Sequence, residues 1–300
     1  VHHGPHYTMP RRCPVPSVVT VHDLSFFDAP EWHERSKVAL FRRAIRRAAR
    51  EAAVVVCPSQ VTADALGRWC TVEAEVVVAP HGVDTARFRP DEPSPGADAE
   101  RLAALDSRLT SGRPLLVFVG TLEPRKDVPT LVRAFSDVAS RHPEALLVLA
   151  GGRGWGADEV DAAVVTSGLG RRVVQTGYVD DAAIPALLRS AAAAVYPSLY
   201  EGFGLPALEA LACGTTLVTT SGTAMEEVAG ASALLVRPGD GPALADMLDT
   251  VLAGRGDDRS ASERRSLGFE IVDRHSWQAS ADLHAMAYRS AAASPRRGRA

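Results

Sequence analysis

The chain of 300 residues is 46% hydrophobic and 23% charged, with a formal net charge of −3. That is the balance of a globular protein long enough to bury one or two cores. It leaves no nucleic-acid footprint at the whole-chain level, and no apolar run reaches the length of a membrane span. Four scattered cysteines (Cys13, Cys57, Cys70, Cys213), none in a C-x-x-C pair, point to reduced thiols in a cytoplasmic setting and away from a zinc centre.

The first residue is Val1, and the opening VHHGPHY reads like the middle of a domain, so a missing N-terminal part is expected. Pro16 to His22 is a β-branched run that predicts a buried strand ending in His22-Asp23. A loop with Phe26, Phe27 and Trp32 follows. Ser36 to Ala53 predicts a helix with Val38, Phe41, Ile45 and Ala49 on one face. Its opposite face carries Arg42, Arg43, Arg46, Arg47 and Arg50, which reads as a solvated face ahead of a surface touching anionic lipid. Val54 to Cys57 is a strand, Ser59 caps a helix reaching about Trp69, and Glu75 to Ala79 is a strand leading to the turn Pro80-His81-Gly82-Val83-Asp84.

A first domain over 1–90, a linker over 91–113 and a second domain over 114–275 are predicted, with a helix over 276–293 packing back towards the first. The second series runs strand Leu115–Val119, helix Pro129–Arg141, strand Ala145–Ala150, a helix near Asp158 to Ser167, strand Arg172–Thr176 and helix Ala182–Ser190. Strand Ala191–Val195 then leads into Tyr196–Gly214. Strand Thr216–Thr219, a short helix Met225–Val228, strand Ala233–Val236 and helix Ala243–Leu252 follow, and Pro295–Ala300 is a basic frayed tail. Alternating strands and helices predict an α/β class with parallel, doubly wound sheets, whose ligands bind at the carboxyl ends of strands.

Candidate chemistry gathers at those ends. Tyr196–Gly214 (YPSLYEGFGLPALEALACG) joins a strand, a glycine turn and a helix start, the arrangement of an anion site. Glu201 and Glu209 would repel phosphate there, so sugar or ribose hydroxyls suit them better; a hydrolase acid/base pair is the weaker reading. Arg125 and Lys126, in the Gly120–Asp127 turn, could neutralise adjacent phosphates, with a solvated basic turn as the alternative. His22 is a candidate base or orienting group. A metal site from His2, His3 and His6 is disfavoured for want of a carboxylate or cysteine partner.

Together the motifs VVTVHDLSFFDAPEWH (Val18–His33), VVVAPHGVD (Val77–Asp84), VFVGTLEPRKD (Val117–Asp127), GYVDD (Gly177–Asp181), the E-x7-E pair Glu201–Glu209 and SGTAMEEVAG (Ser221–Gly230) resemble retaining GT-B glycosyltransferases of family 4 (group 1), especially bacterial mannosyltransferase-like members. The resemblance spans about residues 1 to 290. It implies two Rossmann-like domains facing a cleft, the N-terminal one incomplete, and a nucleotide-diphosphate-sugar donor, GDP-mannose ahead of a UDP-sugar, with no metal required. Arg125 and Lys126 would hold the diphosphate beside Gly120 and Thr121. The amides of Gly202, Phe203, Gly204 and Leu205 would assist, Glu209 would bind ribose, Glu201 the donor sugar, and the Val179 region the base. His22 matches the family's active-site histidine. The acceptor would be a glycan, lipid or other hydroxyl, reached in the cytoplasm or at the inner face of the membrane.

Two departures stand out. Thr121 occupies a place where the family often has arginine. The family's glycine-rich loop after the first strand has no equivalent, so the alternative function is a nucleotide-sugar-binding fragment without turnover, its first strand left as an apolar edge. A nicotinamide dehydrogenase is disfavoured because no strand is followed by G-x-G-x-x-G.

Overall fold

The computed structural model describes residues 1–254 and 260–294; the tail read at Pro295–Ala300 lies outside the described residues. In chain order the elements are β1 (His2–Gly4), β2 (Ser17–Thr20), α1 (Ser25–Asp28), α2 (Arg35–Glu51), β3 (Val54–Cys57), α3 (Gln60–Trp69), β4 (Glu75–Val78), α4 (Ala97–Leu105), β5 (Leu115–Val119), α5 (Val128–Val138), β6 (Leu146–Ala150), α6 (Ala157–Ser167) and β7 (Val173–Gly177). They continue as α7 (Ile184–Ser190), β8 (Ala193–Tyr196), α8 (Leu205–Ala212), β9 (Leu217–Thr220), α9 (Ala224–Ala229), β10 (Ala233–Val236), α10 (Gly241–Leu252), α11 (Ala261–Arg274) and α12 (Trp277–Ala293). Two compact units result. Among the described residues no helix is long and apolar enough to cross a membrane.

The first unit takes Val1–Gly82, Tyr200–Phe203 and the segment from His275. Its sheet is parallel, in the order β1-β2-β3-β4. β2 and β3 are buried on both faces, as parallel strands flanked by helices are. Strand alternation sorts their side chains. Val18, Val54 and Val56 pack with Ala287 and Ala291 of α12. Val19, Val55 and Cys57 pack with Ile45, Ala48 and Ala49 of α2 and Leu66 of α3. Burial in that core pushes the Cys57 thiol up to about 12.

Two expectations are corrected here. The Ser17–Thr20 strand is not an edge: β1 pairs with it from His2↔Ser17 to Gly4↔Val19, so the edge strand is His2-His3-Gly4. The arginine face of α2 is only partly solvated. Arg42 donates to the Phe26 carbonyl at 2.7 Å, Arg46 lies 5.0 Å from the Phe27 ring centre, and Arg47 donates to the Pro10 and Arg11 carbonyls at 2.8 and 2.9 Å. Arg42, Arg46 and Arg47 thus hold neighbouring segments in place, through charge-assisted hydrogen bonds and a ring contact.

The second unit takes Val83–Leu199 and Gly204–Arg274. Its parallel sheet has the order β10-β9-β8-β5-β6-β7. Counted from β5, that is the doubly wound order 3-2-1-4-5-6, in which the strand order reverses between the first and fourth strands, here β5 and β8. Residues 91–113, expected as a linker, instead belong to this unit. Leu102 of α4 and Leu109 are buried with Leu115, Val117, Leu146 and Val148, and Asp98 of α4 forms two 2.6 Å bonds with Arg189 of α7.

Candidate active site

At the reversal point of the second sheet, β5 ends in Gly120 and a loop to α5. Gly120 adopts φ 151°, and its N–H donates to the Ala150 carbonyl at 2.8 Å. A short 3-10 turn over Pro124–Lys126 then leads to Asp127, which sits at φ 47°. That conformation is sparsely used by non-glycine residues. It is secured by the Asp127 N–H on the Pro124 carbonyl at 3.1 Å and the Thr130 hydroxyl on the Asp127 carboxylate at 2.7 Å.

The turn drives Lys126 inward to 6% exposure. A Cβ built on Gly120 would stand 3.4 Å from Lys126 Cε and 3.5 Å from Nζ, so the ammonium lies along the glycine backbone at the strand end. Arg125 stays half-buried, with its Nε on Glu123 Oε2 at 2.8 Å. Its carbonyl accepts the Leu199 N–H at 2.8 Å, which ties the β5 loop to the segment after β8. Thr121 is exposed on the same loop.

A second loop, Gly151-Gly152-Arg153-Gly154-Trp155-Gly156, braces this one from behind. Cβ atoms added at Gly151, Gly154 and Gly156 would lie 2.1 Å from the Gly120 oxygen, 2.6 Å from the Leu122 oxygen and 2.9 Å from the Pro124 nitrogen. No side chain fits at those distances, so glycine is required for the close backbone approach.

Glu209 sits on α8, whose N-cap Gly204 has φ 112° and whose first turn contains Pro206. Burial, opposed by Arg87 and aided by Asp181, raises the Glu209 carboxyl from 4.5 to about 7. Val179 is only 4% exposed and belongs to the core with Ala183 and Ala186, while its neighbour Tyr178 is 79% exposed. If that loop meets a base, Tyr178 and the backbone are what it presents.

The Tyr196–Gly214 stretch, expected as one element, is divided between the units. Tyr200–Phe203 belong to the first and Gly204 onward to the second. The Gly202 carbonyl accepts hydroxyls from Ser59 at 2.7 Å and Thr62 at 3.0 Å. The Tyr200 hydroxyl accepts the Leu24 N–H at 3.1 Å. A Cβ at Gly202 would fall 2.0 Å from the His22 carbonyl oxygen, so the loop lies directly on the end of β2. Phe203 meets the His81 ring edge-on at 4.9 Å. Burial, then His22 and His284, push His81 down to about 4, which keeps it neutral. Glu201 is 9% exposed in this loop.

His22 Nε2 donates to the Pro5 carbonyl at 2.8 Å, which orients the ring. His3 is engaged by Thr20 and Tyr288, both at 2.9 Å. Among the described residues no three His, Cys, Asp or Glu side chains converge as metal ligands. The structure thus groups His22, Glu201, Gly202 and Phe203 in one unit, and Gly120, Thr121, Arg125, Lys126, Val179, Gly204, Leu205 and Glu209 in the other.

Residues 113–254 match the family described as glycosyl transferases group 1, and residues 1–87 match glycosyltransferase family 4. The chain is 31% identical to O-antigen chain mannosyltransferase B of Escherichia coli over 245 residues, 80% of this chain and 62% of that one. The chain belongs to the family 4, group 1 glycosyltransferases.

Another relative is the MMP alpha-(1->4)-mannosyltransferase of Mycolicibacterium hassiacum, 30% identical over 83% of this family 4 chain and 56% of its own length. The chain therefore spans about three fifths of the length of these relatives. Among solved structures, sucrose-phosphate synthase from Thermosynechococcus elongatus superposes with TM-score 0.76 at 27% identity, over 91% of this chain and 67% of that one. The Anabaena HepE protein in complex with UDP-glucose gives TM-score 0.75 at 21% identity, over 91% and 72%. The fold is GT-B.

Sequence reasoning on this family 4 chain missed the bracing glycines Gly154 and Gly156, and also Arg87. The G-G-x-G-x-G spacing after a buried strand was the available signal for the first two. Arg87 had only its place three residues after the turn that ends in Asp84.

Proposed function

We propose that this family 4 chain transfers a hexosyl group, mannose first among the candidates, from a nucleoside-diphosphate donor to a hydroxyl of a glycan or lipid, with retention of anomeric configuration, in the cytoplasm. The observation that carries the reading is the placement of Lys126 and Arg125 at the end of β5 and Glu209 on the helix after β8, around the reversal point where such sheets bind nucleotides. The mannosyltransferase relatives support the sugar, and the UDP-glucose complex of the like-folded Anabaena protein supports the donor class.

In this reading the sugar C1–O bond to the diphosphate breaks and a C1–O bond to the acceptor forms on the same face. The nucleoside diphosphate leaves, and its phosphate oxygen takes the acceptor's hydroxyl proton. Lys126 and Arg125 stabilise charge developing on the leaving oxygens, which a pre-placed cation does without reorganisation. The Gly204 and Leu205 amides assist at the start of α8. Glu209 accepts ribose hydroxyls.

The test is release of nucleoside diphosphate from GDP-mannose and from UDP-glucose by the purified chain, with Lys126→Met alongside. The reading expects release that falls at least about 100-fold in the variant, the scale of losing one charge-stabilising donor. Equal release by both proteins would overturn it.

A further inference from the structure

The Gly120–Asp127 turn carries two acids beside its two bases, and an acid is out of place where phosphate is to bind. Asp127 has a structural task, since its carboxylate accepts the Thr130 hydroxyl at 2.7 Å and secures the turn. Glu123 differs. Its Oε2 accepts the Arg125 Nε–H at 2.8 Å, in a pair whose side chains are 17% and 26% exposed. Both residues are also anchored through their backbones. The Glu123 carbonyl accepts the Lys126 N–H at 3.0 Å, and a Cβ added at Gly156 would stand 3.1 Å from the Glu123 carbonyl carbon. The Arg125 carbonyl accepts the Leu199 N–H at 2.8 Å. A partly exposed ion pair adds little to stability, so stability does not account for this one. Orientation does, because an arginine side chain is rich in rotamers and loses that freedom when it grips an anion.

We propose that Glu123 is a positioning residue for Arg125: it holds the guanidinium by Nε before the donor arrives and so sets the direction in which the terminal nitrogens meet the diphosphate. The inference rests on the nucleotide-sugar reading above and adds a residue to it. Arginine carries its N–H donors in one rigid plane, shared between Nε and the two terminal nitrogens. A carboxylate on Nε therefore fixes the plane, and the edge formed by Nη1 and Nη2 is the one that addresses phosphate. Rotamer freedom already lost in the folded chain is not lost again on binding, which is how preorganisation tightens a complex. The same carboxylate also brings a negative charge near the diphosphate. Charge and position thus act in opposite directions. By charge alone, removing Glu123 would tighten nucleotide binding; by position, it weakens it.

The experiment is titration of the full chain with UDP and with GDP, by calorimetry and, for weak complexes, by phosphorus NMR. The chains are wild type, Glu123→Ala, Glu123→Gln, Arg125→Met and the double variant Glu123→Ala with Arg125→Met. Glutamine still offers an oxygen to Nε but no charge, so Glu123→Gln should bind at least as tightly as wild type. Glu123→Ala should bind about tenfold more weakly, the scale of immobilising one long side chain on binding. In the Arg125→Met chain the alanine substitution should weaken nothing further, because the side chain it positions is gone. Glu123→Ser, too short to reach Nε, stands in if the alanine chain does not fold. Affinity in Glu123→Ala equal to wild type or tighter would overturn the proposal, as would Glu123→Gln binding as weakly as Glu123→Ala. An undiminished loss in the Arg125→Met chain would also overturn it, since the substitution would then act on the loop at large. These outcomes leave the nucleotide reading standing. Wild type that bound neither nucleotide would overturn that reading and the proposal with it.

Discussion

Glu209 carries a carboxyl whose ionisation costs the folded chain stability. Its carboxyl is raised from 4.5 to about 7, chiefly by burial, so the folded chain prefers the neutral acid. The cost of ionising it is absent below about pH 4.5 and complete above about pH 7. It corresponds to about 3 kcal/mol, because each tenfold change in proton affinity on folding is worth about 1.4 kcal/mol. Glu209→Gln removes that titration. The variant should be more stable than wild type in urea above about pH 7, by up to about 3 kcal/mol, with the gain fading as pH falls towards about 4.5. A gain independent of pH would mean that the carboxyl does not titrate in this range. The same variant should bind nucleotide less well, the usual price of a site that keeps a charge out of water.

Among the elements, the most exacting packing lies between the two loops at the ends of β5 and β6. Gly151 has its Cα against the Gly120 carbonyl, where a Cβ would stand at 2.1 Å. Gly151→Ala must push the β5 loop forward and carry Lys126 with it, so it should lower stability by about 2–3 kcal/mol and weaken nucleotide binding together. Gly67→Ala is the control, because nothing lies within 4 Å of its added Cβ on α3. Urea denaturation and calorimetry on the pair check this, and equal behaviour of the two variants would contradict it.

Legibility also divides by element. The buried valine runs of β2, β3 and β5 and the glycine-proline start of α8 carry their own signal in composition and spacing. β1 does not, because a three-residue strand of His-His-Gly has no β-branched pattern. α4 buries Leu102 alone among its residues, and α11 buries Arg264, Gly268 and Val272, so neither shows an apolar stripe. The division of the E-x7-E stretch at Phe203 was equally hidden. It depends on hydroxyls of Ser59 and Thr62 meeting the Gly202 carbonyl across separations of 143 and 140 residues. Local sequence does not encode such a contact.

For the molecule as a whole, the chain order of motifs is a poor guide to which unit they serve. The first unit is completed by two later segments, Tyr200–Phe203 and the segment from His275. The return of α12 has an energetic reason. Ala287 and Ala291, both 0% exposed, cover Val18, Val54 and Val56 on one face of the first sheet. A chain ending at Arg274 should expose that face, lose the cooperative unfolding of the first unit and aggregate on warming. A cooperative transition unchanged by the deletion in scanning calorimetry would show that the helix contributes little. The second unit was more readable. Its six strands follow the doubly wound order, so a reader who places β5 and β8 side by side also places the site.

The central claim is that this family 4 chain binds a nucleoside diphosphate at the β5–β8 reversal point through Lys126 and Glu209. Calorimetric titration with GDP and UDP at about pH 8 tests it directly, on wild type, Lys126→Met and Glu209→Ala. The account predicts that one of the two nucleotides binds wild type with a Kd of about 100 μM or tighter, and that each variant loses about 2 kcal/mol, roughly 30-fold, while keeping its fold by circular dichroism. Undiminished affinity in a folded Lys126→Met chain would contradict it.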